Sequence, residues 1–272
     1  PGASASRRCS APARGAVAVP EKPGLGIELD DNLIENYMGK ITGQATSSTR
    51  ASFVFNRNLK YRFHRRDAPY LFVEDLATTL QDQPAQNFVA QVNQVVGQRG
   101  VFDARFGRMW GEFPSRYQEG ATDIALRDTI RNTRINAAEI QSLNPNHRYQ
   151  ANGTYSYFVP QLLGGTHDFK AGVQLSWERM AYDRVRNGDI LLEMRDGIPF
   201  QAQIANTPIV SDHKMETWGA FIQDRWVIGR ATINLGVRFD GSSGYLPEQA
   251  SPAGRYVGER AFPETDIYDF SM

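Results

Sequence analysis

Residues Arg230 to Asp240 read RATINLGVRFD. Ala231, Ile233, Leu235, Val237 and Phe239 alternate with Thr232, Asn234, Gly236, Arg238 and Asp240. A period of two sustained over this length puts all the apolar side chains on one side of an extended chain, which a helix of 3.6 residues per turn cannot do. The pattern recurs upstream. In His167 to Glu178, Phe169, Ala171, Val173, Leu175 and Trp177 oppose Lys170, Gly172, Gln174, Ser176 and Glu178. In Arg148 to Tyr157, Tyr149, Ala151, Gly153, Tyr155 and Tyr157 oppose Arg148, Gln150, Asn152, Thr154 and Ser156.

Weaker copies lie at Tyr37 to Thr46, Ala51 to Asn58, Asn87 to Asn93 and Phe102 to Trp110. Glu216 to Ile228 makes an eighth strand, in which Trp218, Ala220, Ile222 and Trp226 share a face with Asp224. We assign that face as the apolar one. Arg108 also has apolar-face parity, and near a strand end it can snorkel to an interface.

Connection lengths then discriminate between architectures. The links at 47–49, 97–100, 158–166 and Gly229 are short, whereas those at 59–86, 111–147 and 179–215 run to some thirty residues. Three such links on one edge are foreign to a soluble sandwich. They are the habit of outer-membrane barrels, with tight periplasmic turns and long extracellular loops. Strands of about ten residues fit a tilted crossing of the hydrocarbon layer. The expectation is an all-β, antiparallel transmembrane barrel segment of about eight strands, with the apolar faces towards lipid.

Composition narrows the function. Thirty Lys and Arg balance thirty Asp and Glu, so a bulk electrostatic partner such as nucleic acid is not expected. Aromatic residues at 11% argue against a disordered chain. The longest apolar runs, Ala16 to Val19 and Tyr70 to Val73, are far too short for a membrane-spanning helix. One cysteine, Cys9, excludes a disulfide framework, and His64, His147, His167 and His213 are too widely spaced for a local zinc motif. Gly24 and Gly26 lack the third glycine and the preceding strand of a dinucleotide fingerprint. No catalytic, cofactor-binding or metal residues are assigned, and an enzyme is not expected.

Candidate lumen-facing residues are Lys40, Gln44, Asp103, Arg105, Arg148, Lys170, Gln174 and Arg238, all on polar strand faces. A separate run, LKYRFHRRD (59–67), interleaves Lys60, Arg62, Arg65 and Arg66 with rings. It has three open readings: a rim for lipopolysaccharide phosphates, a funnel for an anionic ligand, or a solvated loop base. Asn187-Gly188 and Asp196-Gly197 are turn signals that predict a small hairpin in the third long loop, with Phe200 to Ile204 returning.

Three stretches carry a family resemblance: GGTHDFKAGVQLSWERM (164–180), GAFIQDRWVIGRATINLGVRFD (219–240) and GYLPEQASPAGRYVGERAFPE (244–264). They resemble the barrel of a TonB-dependent outer-membrane receptor, of the Oar-like branch that begins with a carboxypeptidase-regulatory-like domain. The most specific part is Phe221, Gln223, Asp224 and Trp226, followed after a turn by Ile233, Asn234, Leu235, Gly236, Arg238 and Asp240. The resemblance implies a cell outer-membrane location, a twenty-two-strand barrel around a plug, an inner-membrane TonB complex as partner, and import of a siderophore, cobalamin, glycan or peptide. The implied partners are outer-membrane lipid and lipopolysaccharide, a small-molecule or oligomeric substrate, and no nucleic acid.

The chain reads as about eight of those strands, a fragment in which the TonB complex would act through parts not present. Residues 1–35 read as an N-terminal coil outside the barrel, 36–240 as the barrel segment, and 241–272 as the start of a further extracellular loop. Alternatives are a passive porin or small structural or adhesion barrel, and a soluble carbohydrate-binding β-sandwich.

Overall fold

A computed structural model of the chain describes residues 32–66 and 72–271. The expected N-terminal coil lies outside the described residues up to residue 31. From Asn32 onward the chain is already strand.

Nine long strands follow one another as an antiparallel meander. They are β1 (Asn32–Thr46), β2 (Thr49–Arg65), β3 (Thr79–Val96), β4 (Gly100–Glu112), β5 (Pro145–Leu162), β6 (Gly165–Val185), β7 (Ile209–Ile228), β8 (Ala231–Leu246) and β9 (Thr265–Ser271). All eight expected strands are present in the expected order. Each neighbour in sequence is also the neighbour in space, so every link is a hairpin. The order is open: β1 pairs with β2 and β9 with β8, and no pairing joins β1 to β9 among the described residues.

The turn chemistry explains one end of the sheet. Leu163 and Gly164 both have positive φ, at 47° and 80°, which matches the two-residue turn whose twist suits a hairpin. Gly97 and Gly229, at 62° and 56°, take the same region where the other short links need it. At the other end the strands outrun the expected ten residues, reaching 21 in β6. The surplus projects past a membrane's thickness on the loop side. The strand read as ending at Asp240 continues to Leu246, and Thr265–Ser271 returns to pair with Gly241 to Leu246 inside the stretch expected to be loop.

Register sorts the side chains as the alternation requires. Phe53, Phe88, Phe106 and Tyr149 form a ladder on the apolar face, with centroid separations of 6.0, 5.9 and 6.5 Å. Among the described residues nothing packs over that face: Leu235 is 62% exposed and Phe239 57%. This is the reverse of a sandwich, whose apolar faces close on one another. Arg108 falls between Phe88 and Tyr149 on this face, and its guanidinium lies 5.7 Å from the Tyr149 ring.

The buried core lies elsewhere, among the loops. Strands at 72–73, 125–128, 133–135, 190–195 and 198–204 join in one five-stranded sheet drawn from all three long connections. The predicted hairpin is there, turning at Asp196 and Gly197 with positive φ. Its inner strand is also bonded in parallel to Ala125–Asp128 of the preceding loop. Leu191 is fully buried and packs with Ala121, Ala125, Ala137 and Tyr117.

Candidate functional site

The polar face of the meander brings the candidate lumen residues together in rows. Gln44, Arg50, Asn93, Asp103, Thr154, Gly172, Phe221 and Arg238 are successive partners across β1 to β8. The adjacent row runs Thr42, Ser52, Gln91, Arg105, Asn152, Gln174, Gly219 and Asp240. Lys40 lies one row towards the loops, beside Val54. Arg148 lies one row further in that direction, where it pairs with Glu178 at 3.2 Å. Lys170 lies on the turn side, between Ser156 and Gln223.

Hydrogen bonds tie these rows into a network. Asp103 accepts from Gln91 at 2.8 Å and from Asn93, and Arg105 donates to Gln91 at 3.3 Å. Arg238 donates to Gln174 at 2.8 Å and forks onto Asp240. Two glycines make room for this. A Cβ at Gly219 would meet the Arg238 and Asp240 side chains at 2.5 Å, and one at Gly172 would meet the Phe221 ring at 2.6 Å. Between the networks lies an open groove of about 410 Å3 lined by Asp103, Arg105, Asn152, Thr154, Lys170 and Gln174. Lys40 and Lys170 make no ion pair among the described residues.

Within the basic run, register sets Lys60, Arg62 and Arg65 opposite Gln83, Gln81 and Thr79 on one side of β3. Lys60 and Arg62 continue the polar-face parity of Asn56 and Asn58, opposite Gln83 and Gln81. Tyr61 and Phe63 stack on the other side with centroids 6.4 Å apart. A register shift follows Arg62, and the Arg65 guanidinium lies 5.3 Å from the Phe113 ring of the next loop. Arg66 stands just past the end of β2.

Sequence reading missed the polar core of the loop sheet. Arg127 bridges Glu139, at 3.1 Å, and Glu193, while Arg134 reaches Glu139 at 2.9 Å. Glu193 also accepts from Gln201 at 2.6 Å and from Gln203. Burial alone would raise the Glu193 carboxyl, but these side-chain donors outweigh it and hold its pKa below the ordinary value. Asp128 behaves alike: burial opposes its charge, and the backbone amides of Arg131, Gly197, Ile130 and Asp196 lower its pKa. The partners come from loops some sixty residues apart, so no local motif announces them. Among the described residues no group of three or more His, Cys, Asp or Glu side chains is arranged to hold a metal.

A family model described as TonB dependent receptor-like, beta-barrel matches residues 28–263. No curated protein matches the chain. Solved structures with the same fold include the outer membrane transporter YddB from Escherichia coli, at a TM-score of 0.58 and 10% identity over 82% of this chain. The ferric citrate transporter FecA in its unliganded form gives 0.54 and 10% over 89%. FpvA of P. aeruginosa, bound to a heterologous pyoverdine with iron, gives 0.54 and 11% over 82%. The chain spans 32% of the length of each of these three.

Proposed function

Because this chain belongs to the TonB-dependent receptor-like β-barrel family of the outer membrane, we propose that it is wall and loop structure of a receptor that binds a scarce nutrient and imports it. The observation that carries this reading is the groove on the polar face, where Asp103, Arg105, Lys170 and Gln174 converge. A wall of mixed charges and amides suits the passage of polar solutes by steering rather than by reaction. Lys60 and Arg62 extend the same face towards the loops and would guide an anionic solute inward. Siderophores, cobalamin, glycans and peptides are the substrate classes in view. An inner-membrane TonB complex is the proposed partner, engaging parts of the receptor other than these strands.

The test is uptake. Cells lacking the gene are compared with wild type on labelled ferric siderophores, cobalamin, oligosaccharides and peptides, with and without a functional TonB complex. The reading requires at least one solute whose energised uptake is lost on deletion and restored by the wild-type gene. If every solute enters equally with and without the gene, or the restored uptake is independent of TonB, the proposal fails.

A further inference from the structure

All four methionines of the nine strands stand on the polar face, and the outward face carries none. Met38, Met109 and Met215 share one row of the register. Met180 stands in the adjacent row on the loop side, directly opposite His213. Thioethers in such numbers are out of keeping with a wall otherwise built of amides and charges. Nor is burial their reason, since Met109 is 47% exposed and Met180 43%. Met109, Met180, Tyr182, His213, Met215 and Tyr268 border an open groove of about 480 Å3 at the loop end of this face.

Two contacts orient the soft donors. The Tyr182 hydroxyl donates to Met180 Sδ at 2.7 Å. The Ser211 hydroxyl lies 2.8 Å from His213 Nε2, which leaves Nδ1 without a hydrogen bond among the described residues. Metal-binding imidazoles are held in this way, one nitrogen on an outer polar partner and the other turned to the ion. Residues directly opposite across antiparallel strands have Cβ atoms about 5 Å apart, and those two apart on one strand about 7 Å. Met180, His213 and Met215 thus form a triangle whose side chains are long enough to meet at one point. A hard dication finds little here, because Glu178, opposite Met215, is paired with Arg148 at 3.2 Å.

We propose that His213, Met180 and Met215 form a binding site for a soft monovalent metal ion, Cu(I), on the polar face near the loops. Thioether sulfur is a soft donor that selects Cu(I), and imidazole is a good partner for copper. Two thioethers and a neutral imidazole supply no charge, so Mg(II) and Ca(II), which take carboxylate and carbonyl oxygen, are disfavoured. An apolar solute would need no sulfur, and replacing Met by Leu separates that reading. Met109 is too distant to share the ion, since Arg148 and Glu178 stand between it and Met215. The site lies towards the loops from the groove at Asp103 and Lys170. It rests on the geometry of this face and not on transport, so loss of the uptake reading leaves it standing.

The test titrates the full-length receptor in detergent with Cu(I), kept reduced by ascorbate, against a chromophoric Cu(I) chelator, and separately with Ag(I) and Zn(II) by calorimetry. Every sample carries Cys9→Ser, so that the lone thiol does not compete for the ion. Cu(I) and Ag(I) are expected to bind and Zn(II) to bind far more weakly. Met180→Leu/Met215→Leu keeps side-chain volume and removes both sulfurs. It should weaken Cu(I) by more than the about hundredfold that loss of an outer partner can cost, and Ser211→Ala should weaken it by about tenfold. Copper-edge X-ray absorption should show sulfur scatterers that the double variant lacks. Unchanged affinity in the double variant, or a copper spectrum with nitrogen and oxygen scatterers alone, overturns the site. Equal binding of Zn(II) overturns its assignment to a soft monovalent ion. The absorption spectrum of the receptor with both methionines in place decides the matter even if the double variant does not assemble.

Discussion

His167 and Asp224 meet across β6 and β7, Nδ1 to Oδ2 at 2.6 Å, on the face of the sheet that also carries Leu235. His167 is 3% exposed, lies between the Phe169 and Trp226 rings at 5.4 Å from each, and places Nε2 3.1 Å from the Leu162 carbonyl. The imidazole thus gives an acid on an apolar face its partner. Asp224→Ala should lower stability by about 1.5–3 kcal/mol, the range for a hydrogen bond to a charged group. His167→Phe should cost a similar amount by stranding the carboxylate, and the double variant His167→Phe/Asp224→Leu should recover most of the loss. Urea unfolding from lipid vesicles, followed by tryptophan fluorescence, measures all three. Single variants indistinguishable from wild type would show that the pair contributes nothing.

Leu191 tests whether the loop sheet is a folded unit in its own right. It is fully buried against Ala121, Ala125, Ala137 and Tyr117, all of the second long connection, whereas Leu191 belongs to the third. Leu191→Ala should cost about 2–5 kcal/mol, as truncations at buried leucines do. That cost falls on the loops and not on the hydrogen-bonded wall. Protease added to intact cells should then cut near 120–140 and 186–208 in the variant while the strands stay protected. Cleavage no faster than in wild type would mean that the loops are held by the wall alone.

The strands were legible because a membrane wall imposes opposite solvents on its two faces, and Ala231 to Asp240 records that alternation without exception. The signal stops where both faces become wet. Gly241 to Leu246 and Thr265 to Ser271 pair across a register shift after Gly244, yet their side chains no longer alternate, so the sequence marks them as loop. Asp224 could be placed by parity, but the reason it is tolerated could not, since His167 lies 57 positions away. The loop sheet was hidden for a related reason. Its hairpin follows from Asp196-Gly197, but the parallel pairing of Leu191–Met194 with Ala125–Asp128 joins two loops that no short-range pattern relates.

Acid should loosen the loop sheet before the wall. Asp128, Glu193 and Asp189 all have lowered pKa values, Asp189 chiefly through the Thr207 hydroxyl. A carboxylate whose pKa falls on folding contributes stability that is fully present above its unfolded value and lost as pH drops through the folded one. The contribution is therefore complete at neutral pH and declines below about pH 4, the ordinary carboxylate range. Amide hydrogen exchange at 125–135 and 190–204 should accelerate between pH 5 and pH 3 beyond the intrinsic rate change. Asp128→Asn should exchange faster at pH 7 and show a shallower pH dependence. An unchanged profile in that variant would rule out Asp128 as a source of the effect.

Charge on the polar face supplies a prediction with two signs. Around the groove, Arg105, Lys170 and Arg238 stand against Asp103 and Asp240, an excess of one cation. Lys170 has no ion pair among the described residues, so Lys170→Glu changes the local field without breaking one. If this face guides an anionic nutrient, Lys170→Glu should slow uptake at limiting concentration by about tenfold, a modest share of what electrostatic steering can supply. Asp103→Asn should raise it, although Gln91 and Asn93 lose their acceptor charge. Both effects should shrink as ionic strength rises from 0.01 to 0.15 M, because the Debye length falls from about 30 to about 8 Å. For a cationic nutrient both signs reverse. Changes in the same direction for the two variants, or effects insensitive to salt, would identify a disturbance of structure and not of the field.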